Sequence, residues 1–271
     1  MESNLIHPTA TIGKEVKIGS GNVIGAYCLI EGNITIGNNN NFLSHVVVRN
    51  NVTIGNRNTF YEFSSIGNRS QDKNCTTDIN LLSVKIGDDN CFRESVTVHL
   101  GTAKDRHTTI IGNKNLLMAN SHVAHDCIIK NNVVIANSTA LAGHVIVGNN
   151  VVIGGGSGIH QKITIGDAVM IGGGSTIKKH ILPFSSIIAN ILDLHKTKLS
   201  LNVVGLGRYY NEDESSDVKK IFKNIVFKKG LSYNDKLEMI KNYHFHNDNS
   251  KNTFKIFFEE VQDSKFDTYL K

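Results

Sequence analysis

Residues 128–153 read IIKNNVVIANSTALAGHVIVGNNVVI and carry a large apolar residue at every sixth position, namely Ile129, Ile135, Leu141, Val147 and Ile153. The same period runs through residues 6–66 and 111–177, with a shorter run over 86–98. A period of six fits neither the 3.6-residue turn of an α-helix nor a hairpin array, but it fits a short strand plus a tight turn. Three such units close one triangular coil of eighteen residues. The sequence therefore predicts an all-β left-handed parallel β-helix, a hexapeptide-repeat solenoid.

The period also predicts where the chain departs from this coil. Two changes of phase indicate loops at about residues 67–85 and 99–110. From about Leu182 the period disappears, and after Asn211 the apolar residues take helical spacing. We therefore expect a β-helix over residues 1–190 and a C-terminal α-helical domain over residues 191–271, whose helices cover the open end of the solenoid.

Three apolar stripes predict the helices of this domain. Their members are, in turn, Val218, Ile221, Phe222 and Ile225, then Leu237, Ile240 and Tyr243, then Phe254, Phe257, Phe258 and Val261. Ser215 or Ser216 is expected to cap the first helix at its N-terminus, and Gly230 to end it.

Composition and charge restrict the function classes. The 271 residues carry a formal net charge of +5 from scattered basic residues, which does not indicate nucleic-acid binding. No stretch approaches the roughly 18 consecutive apolar residues of a membrane-spanning helix, and residues 1–13 do not resemble a signal peptide. We expect a cytoplasmic protein.

Histidines are concentrated in one part of the solenoid. Counting by eighteen, His125, Gly143 and Gln161 occupy equivalent positions on successive coils, with His144 and His160 beside them. A single histidine is usually a turn residue with a satisfied hydrogen bond, but several on one edge can supply a general base and further donors for a polar substrate.

Two neighbours of this edge leave alternatives open. Asp126 could orient His125 only if a turn brings adjacent side chains together, because neighbouring strand residues point to opposite faces. Gly143 is either a plain turn glycine or a backbone N–H facing an oxyanion. In the first loop, Gln71, Asp72 and Lys73 are either simply solvated or placed to contact a substrate.

Four motifs then resemble one family. Residues 94–102 (ESVTVHLGT), 120–127 (NSHVAHDC), 141–145 (LAGHV) and 160–161 (HQ) are similar to those of UDP-N-acetylglucosamine O-acyltransferase, the first enzyme of lipid A biosynthesis. The similarity covers nearly the whole chain, including its loops and helical tail. It implies a homotrimer that moves a 3-hydroxyacyl group from acyl carrier protein to the sugar 3-hydroxyl without a metal or other cofactor.

The resemblance also implies residue roles. His125 matches the general base, Asp126 its partner, and the N–H of Gly143 the oxyanion donor. Gly173 matches the residue that limits the acyl groove, where a glycine implies a long acyl chain. The positions that match substrate-binding residues are Asp72, Lys73, His99, His122, His144, His160, Gln161, Asn202 and Arg208.

The sequence departs from the family pattern at two places. The family loop reads Gln-Asp-x-Lys, whereas Gln71-Asp72-Lys73 lacks the spacer. Near the nucleotide site, Val204 stands where an acidic residue is frequent and Tyr209 where a second arginine is common.

Three rival hypotheses remain. The first is a related acyltransferase or acetyltransferase for another nucleotide sugar, including a 3-amino sugar. The second is a hexapeptide-repeat carbonic anhydrase with zinc held by three histidines across a subunit boundary. The third is a solenoid scaffold without catalytic activity.

Overall fold

A computed structural model describes residues 3–75, 77–189 and 197–261 of the chain. Its strands are two to four residues long, as expected for short runs of β-branched residues interrupted by turns. The first nine are β1 (Leu5–Ile6), β2 (Thr11–Ile12), β3 (Lys17–Ile18), β4 (Val23–Ile24), β5 (Leu29–Glu31), β6 (Ile34–Ile36), β7 (Asn41–Phe42), β8 (Val47–Arg49) and β9 (Val52–Ile54). The next nine are β10 (Thr59–Phe60), β11 (Ser65–Asn68), β12 (Ser83–Ile86), β13 (Cys91–Phe92), β14 (Thr97–His99), β15 (Thr108–Ile111), β16 (Leu116–Leu117), β17 (His122–Val123) and β18 (Ile128–Ile129). The last ten are β19 (Val134–Ile135), β20 (Ala140–Leu141), β21 (Ile146–Val147), β22 (Val152–Ile153), β23 (Gly158–Ile159), β24 (Thr164–Ile165), β25 (Met170–Ile171), β26 (Thr176–Ile177), β27 (Ser185–Ile188) and β28 (Lys198–Leu201).

These strands form the three faces of a parallel solenoid. Face A takes every third strand from β1 to β25, followed by β27 and the antiparallel β28. Face B takes every third strand from β2 to β26, and face C every third strand from β3 to β24. The predicted parallel β-helix followed by helices is confirmed.

The register follows the eighteen-residue coil. His122 pairs with Ala140, and Ala140 pairs with Gly158 on the next strand of face B. The inward residue of each strand is buried from Ile24 to Ile187, which makes one continuous core along the axis. Within this core the rings of Phe42 and Phe60 stack with their centroids 4.8 Å apart.

The corners between faces repeat as regularly as the strands. One residue of most turns has a left-handed backbone, and it is often not glycine, as at Asn39 with a φ of 56°. A ladder of buried asparagine amides follows the corner between faces C and A, where Asn40 donates to Asn22 at 3.0 Å and Asn58 to Asn40 at 3.0 Å. This ladder satisfies polar groups that burial would otherwise penalise.

The chain leaves the coil twice. The first loop lies between β11 and β12 and contains a 3-10 helix at Ile79–Leu81. The second lies between β14 and β15. The coil closes beneath both, because Val84 still pairs with Val52 and Ser83 with Thr108.

The C-terminal region is helical. Its helices are α1 (Val203–Tyr209), α2 (Glu212–Ile221) continued by a π-helix (Phe222–Val226), α3 (Tyr233–Lys241) and α4 (Asp248–Glu260). The expected serine cap of the first predicted helix was wrong. Asn211 is the N-cap of α2, because its side chain accepts from the N–H of Glu214 while the Glu214 carboxylate accepts from the Asn211 N–H.

Three other details of the helices differ from the sequence pattern. Gly230 does not end the first predicted helix, because the helical segment already ends at Val226 with Phe227 as its C-terminal cap. Tyr243 lies beyond the end of α3, and Val261 is the C-terminal cap of α4 rather than part of it. The short helix α1 was not anticipated from the sequence, since only seven residues form it.

The helices pack against the last coil. Leu182 and Phe184 of the solenoid share a buried cluster with Leu206, Phe222 and other apolar residues of the helices. Lys130 also forms an ion pair of 2.7 Å with Glu260 at the end of α4. The expected domain boundary at 190/191 falls within residues 190–196, which lie outside the described residues. Across the ranges that are described, no helix combines the length and apolar content needed to cross a membrane.

Candidate functional site

The histidine-rich edge is the corner between faces B and C. His144 donates its backbone N–H to the carbonyl of His125 at 3.0 Å, and Lys162 donates to Gly143 at 3.0 Å, so these turns stack directly on one another. His122 lies on β17 and starts the turn that carries His125. The solenoid repeat therefore brings together side chains that are eighteen residues apart in the sequence.

His125 and Asp126 form a hydrogen-bonded pair at this corner. Asp126 has a φ of 59°, and this left-handed turn lets two adjacent side chains meet. Nδ1 of His125 is 2.9 Å from Oδ2 of Asp126, whose side chain is fully buried. The carboxylate also accepts from Thr102, through the backbone N–H at 3.0 Å and the hydroxyl at 2.6 Å.

These contacts fix the charge state of Asp126. Burial alone would raise the pKa of this carboxyl group, but the hydrogen bonds from His125 and Thr102 outweigh burial and lower the pKa. An ionised carboxylate can only accept hydrogen bonds, so the proton between the two residues lies on Nδ1 of His125. Nε2 of the imidazole is then left with its lone pair, as a general base requires.

Gly143 lies directly against the imidazole of His125. A Cβ built at this glycine would be 2.5 Å from Nε2 of His125, closer than real side chains approach. Within the described part of the chain, the Gly143 N–H donates no hydrogen bond. A glycine is therefore required here by space, and its N–H is available to a ligand.

A second pair of imidazoles lies deeper. The rings of His99 and His122 meet edge to face with centroids 4.8 Å apart, and Thr97 Oγ1 lies 2.7 Å from Nδ1 of His122. Burial lowers the pKa of His99 to about 4 and also lowers the pKa of His122. Both are therefore neutral at pH 7. Nδ1 of His99 is buried without a hydrogen-bond partner among the described residues.

These groups line one cleft of about 990 Å³. Its walls include eight of the residues expected from the sequence, namely Asp72, His99, His122, His125, Gly143, His144, His160 and Gln161. Asp126 lies behind His125 and supports it. Apolar residues with exposed surface also line the cleft, among them Ala140 and Ala142. Such a cleft suits a ligand that combines a polar head with an alkyl chain.

Four expected residues do not line this cleft. Lys73 is exposed in the first loop. Gly173 lies at the corner between faces A and B. Asn202 caps α1, accepting from Gly205 N–H and donating to a carbonyl at the corner between faces C and A. Arg208 lies exposed in the last turn of the same helix.

The two loops supply residues that the sequence interpretation missed. Lys104 of the second loop forms an ion pair of 2.7 Å with Asp72 of the first loop, and both line the cleft. This contact lowers the pKa of Asp72. In the second loop, Thr102 donates to the Asp126 carboxylate, and Oδ2 of Asp105 lies 3.0 Å from Nδ1 of His144. The only sequence signal for them was the loss of the six-residue period over the loop.

One group in the described ranges has donor atoms suited to a metal ion. His125, Asp126 and His144 each offer an atom within 4.8 Å of the others. In this chain the group combines two histidines with a buried carboxylate. The Asp126 carboxylate is already engaged by Thr102 and His125, which favours a histidine–carboxylate pair over a metal centre.

Comparisons with known proteins agree with this architecture. Residues 108–143 match the family model for "Bacterial transferase hexapeptide (six repeats)". A segment of 66 residues is 58% identical to acyl-[acyl-carrier-protein]--UDP-N-acetylglucosamine O-acyltransferase of Psychromonas ingrahamii, and it spans 24% of this chain and 24% of that protein.

Solved structures extend the similarity over the whole fold. The structure of LpxA from Acinetobacter baumannii is 33% identical with a TM-score of 0.85, and the match covers 94% of this chain and 97% of that one. The UDP-N-acetylglucosamine O-acyltransferase of Moraxella catarrhalis RH4 is 34% identical with a TM-score of 0.84, covering 97% of this chain and 98% of that one.

Proposed function

The chain belongs to the UDP-N-acetylglucosamine O-acyltransferase family, and from this premise we propose that it transfers a 3-hydroxyacyl chain from acyl carrier protein to the 3-hydroxyl of UDP-N-acetylglucosamine, the first step of lipid A biosynthesis. The observation that carries the proposal is the pair of His125 and the buried Asp126, 2.9 Å apart at the wall of the cleft. The mechanism needs no metal or cofactor.

His125 acts as the general base. Its Nε2 takes the proton of the sugar 3-hydroxyl as that oxygen attacks the carbonyl carbon of the acyl thioester. Asp126 stabilises the imidazolium that forms, because its carboxylate bonds to Nδ1 and is too well held by Thr102 to take the proton itself. A sugar hydroxyl is a poor nucleophile at neutral pH, so this proton transfer carries much of the rate enhancement.

The Gly143 N–H stabilises the next species. Attack on the thioester gives a tetrahedral intermediate with a negative oxygen, to which a backbone N–H beside Nε2 of His125 can donate. When the carbon–sulfur bond breaks, the thiolate of the carrier leaves and receives the proton from the imidazolium of His125. The products are the 3-O-acyl sugar nucleotide and the free thiol of the carrier.

The other cleft residues bind the substrates. We assign sugar-nucleotide binding to five residues that line the cleft, namely His99, His122, His144, His160 and Gln161. Asp72 lines the same cleft and is assigned to substrate binding with them. The apolar lining residues, among them Ala140 and Ala142, receive the start of the acyl chain.

A homotrimer completes the site. Gly173, Asn202 and Arg208 belong to corners or helices other than the corner of His125, and one triangular prism cannot bring its three corners together. A neighbouring subunit can place its acyl-groove glycine and its nucleotide-binding residues at the cleft of the next. The expected partners are therefore acyl carrier protein and two further copies of this chain, in the cytoplasm. A monomer in light scattering at micromolar concentration would contradict the trimer.

The activity is tested by incubating purified protein with UDP-N-acetylglucosamine and a panel of acyl-carrier-protein thioesters and identifying the products by mass spectrometry. We expect a 3-O-acylated sugar nucleotide. His125→Ala should lower kcat by about 10²–10⁴-fold, whereas His122→Ala should mainly raise KM. The rival hypothesis of a 3-amino acceptor is tested by adding a 3-amino sugar nucleotide to the same assay. If this compound is acylated on nitrogen in preference to UDP-N-acetylglucosamine, the proposed acceptor is wrong.

A further inference from the structure

His144 has a carboxylate partner of its own. Its Nδ1 lies 3.0 Å from Oδ2 of Asp105 and 4.0 Å from Oδ2 of Asp126, so Asp105 is the nearer acceptor. The rings of His125 and His144 stand at 89° to each other with their centroids 4.9 Å apart. The site thus contains two histidine–carboxylate pairs side by side.

The second loop holds Asp105 in place. Arg106 bridges the two pairs, with Nη2 3.1 Å from Oδ2 of Asp105 and Nη1 donating to the carbonyl of Asp126 at 2.9 Å. Thr102, three residues before Asp105, is anchored to the Asp126 carboxylate through both its N–H and its hydroxyl. The Arg106 side chain is only 18% exposed and that of Asp105 28%. This ion pair is therefore shielded and supported by hydrogen bonds on both sides, unlike an isolated surface pair.

The contact determines which nitrogen of His144 carries the proton. A carboxylate only accepts hydrogen bonds, so a neutral His144 is protonated on Nδ1 and keeps the lone pair on Nε2. Nε2 of His144 makes no hydrogen bond to any residue in the ranges that the structure describes, and the residue lines the cleft. Without Asp105, nothing in this contact would oppose the tautomer with the proton on Nε2.

We propose that Asp105 is a positioning residue that keeps Nε2 of His144 as a hydrogen-bond acceptor for a hydroxyl of the acceptor sugar. The inference rests on the proposed function for the identity of the sugar, but its structural part does not depend on it. Asp105 holds the proton of His144 on Nδ1 for acceptor binding, as Asp126 holds that of His125 for catalysis. It acts through His144 and does not itself touch the substrate.

The test combines spectroscopy with kinetics. In protein labelled with ¹⁵N-histidine, with the His144 signals assigned by their loss in His144→Gln, we expect the proton on Nδ1 in the wild type and on Nε2 in Asp105→Asn. The asparagine keeps the size of the side chain, but its amide can donate to Nδ1. Loss of the hydrogen bond to the sugar should raise KM for UDP-N-acetylglucosamine about tenfold, with kcat changed less than about threefold.

Asp89→Asn is the matched control. Asp89 forms an ion pair of 2.6 Å with Arg57 at a corner far from the cleft, and its removal should change neither KM nor the His144 spectrum. The inference is wrong if His144 carries its proton on Nε2 in the wild type, or if Asp105→Asn leaves KM unchanged in an active enzyme. If the wild type acylates no sugar nucleotide, the proposed function fails, while the tautomer measurement still tests the role of Asp105.

Discussion

Gly143→Ala is the substitution whose effect can be worked out most directly from the structure. The new Cβ would lie 2.5 Å from Nε2 of His125 and 3.0 Å from its Nδ1, whereas ordinary contacts begin at 3.4 Å. Cε1 of the same ring lies as close as Nε2, so the imidazole must withdraw by about 1.0 Å to accommodate one methyl group. Because Nδ1 is held at 2.9 Å by the buried Asp126, this movement strains the hydrogen bond and shifts Nε2 from the position of the acceptor hydroxyl.

A displacement of about 1 Å in a catalytic group can cost roughly 10²-fold in rate. We expect Gly143→Ala to lower kcat about 100-fold with a smaller change in KM. The backbone N–H is still present in alanine, so the loss would come from moving His125 and not from removing the oxyanion donor. The assay is steady-state kinetics with acyl carrier protein thioester and UDP-N-acetylglucosamine, read by mass spectrometry.

Gly207→Ala is the control, because a Cβ on this glycine of α1 meets no atom within 4 Å. It should keep wild-type kinetics, and both variants should melt within a few degrees of the wild type. A Gly143→Ala enzyme that is folded and retains kcat within threefold of the wild type would refute the claim that the ring position of His125 sets the rate.

Three further predictions concern the loops, acid stability and the acyl groove. Lys104→Met removes the cation that pairs with the first loop and should raise the acceptor KM by about twofold to fivefold, whereas Lys73→Met, on the exposed side of that loop, should leave kinetics unchanged. An equal effect of both would contradict the assignment. The pKa of His99 is about 4 in the folded protein and about 6.5 when unfolded, so its contribution to stability is full above pH 6.5 and is lost as the pH falls toward 4. When the pH is lowered from 7 to 4.5, the free energy of unfolding, measured with urea, should fall by about 2–3 kcal/mol less in His99→Gln than in the wild type. An equal decrease in both proteins would be inconsistent with a buried neutral imidazole. Gly173→Met should shift selectivity to shorter acyl chains, as measured with the thioester panel. An unchanged chain-length profile would contradict the assignment of Gly173 to the acyl groove.

The repeat made much of the site predictable from the sequence. A fixed six-residue period determines which residues point inward, and a coil of eighteen residues determines which residues stack. His125, Gly143 and Gln161 can therefore be placed on one edge from the sequence alone, because in a solenoid the separation along the sequence determines the position in space. The helical region was predicted less well. Its apolar stripes indicated the helices, but the first apolar residue of α2, Val218, lies two turns inside the helix, so the stripe placed the cap too late. Asn211 is the cap because Glu214 stands three residues after it and returns its hydrogen bond. Ser215 and Ser216 are followed at that spacing by Val218 and Lys219, which cannot return it.

Only the tertiary structure decided how the loops and the single corners complete the site. Asp126 has a left-handed φ, which brings its carboxylate to His125. Residues of several other types have the same φ at other corners, so the local sequence does not predict this contact. Lys104 and Asp105 lie where the period is lost, so counting gives them no register. Their positions follow from contacts with Asp72 and His144, residues 32 and 39 positions away in the chain. A repeating segment repeats the same local contacts, whereas a loop takes its conformation from partners that are distant in the sequence, and these partners are known only when the chain has folded.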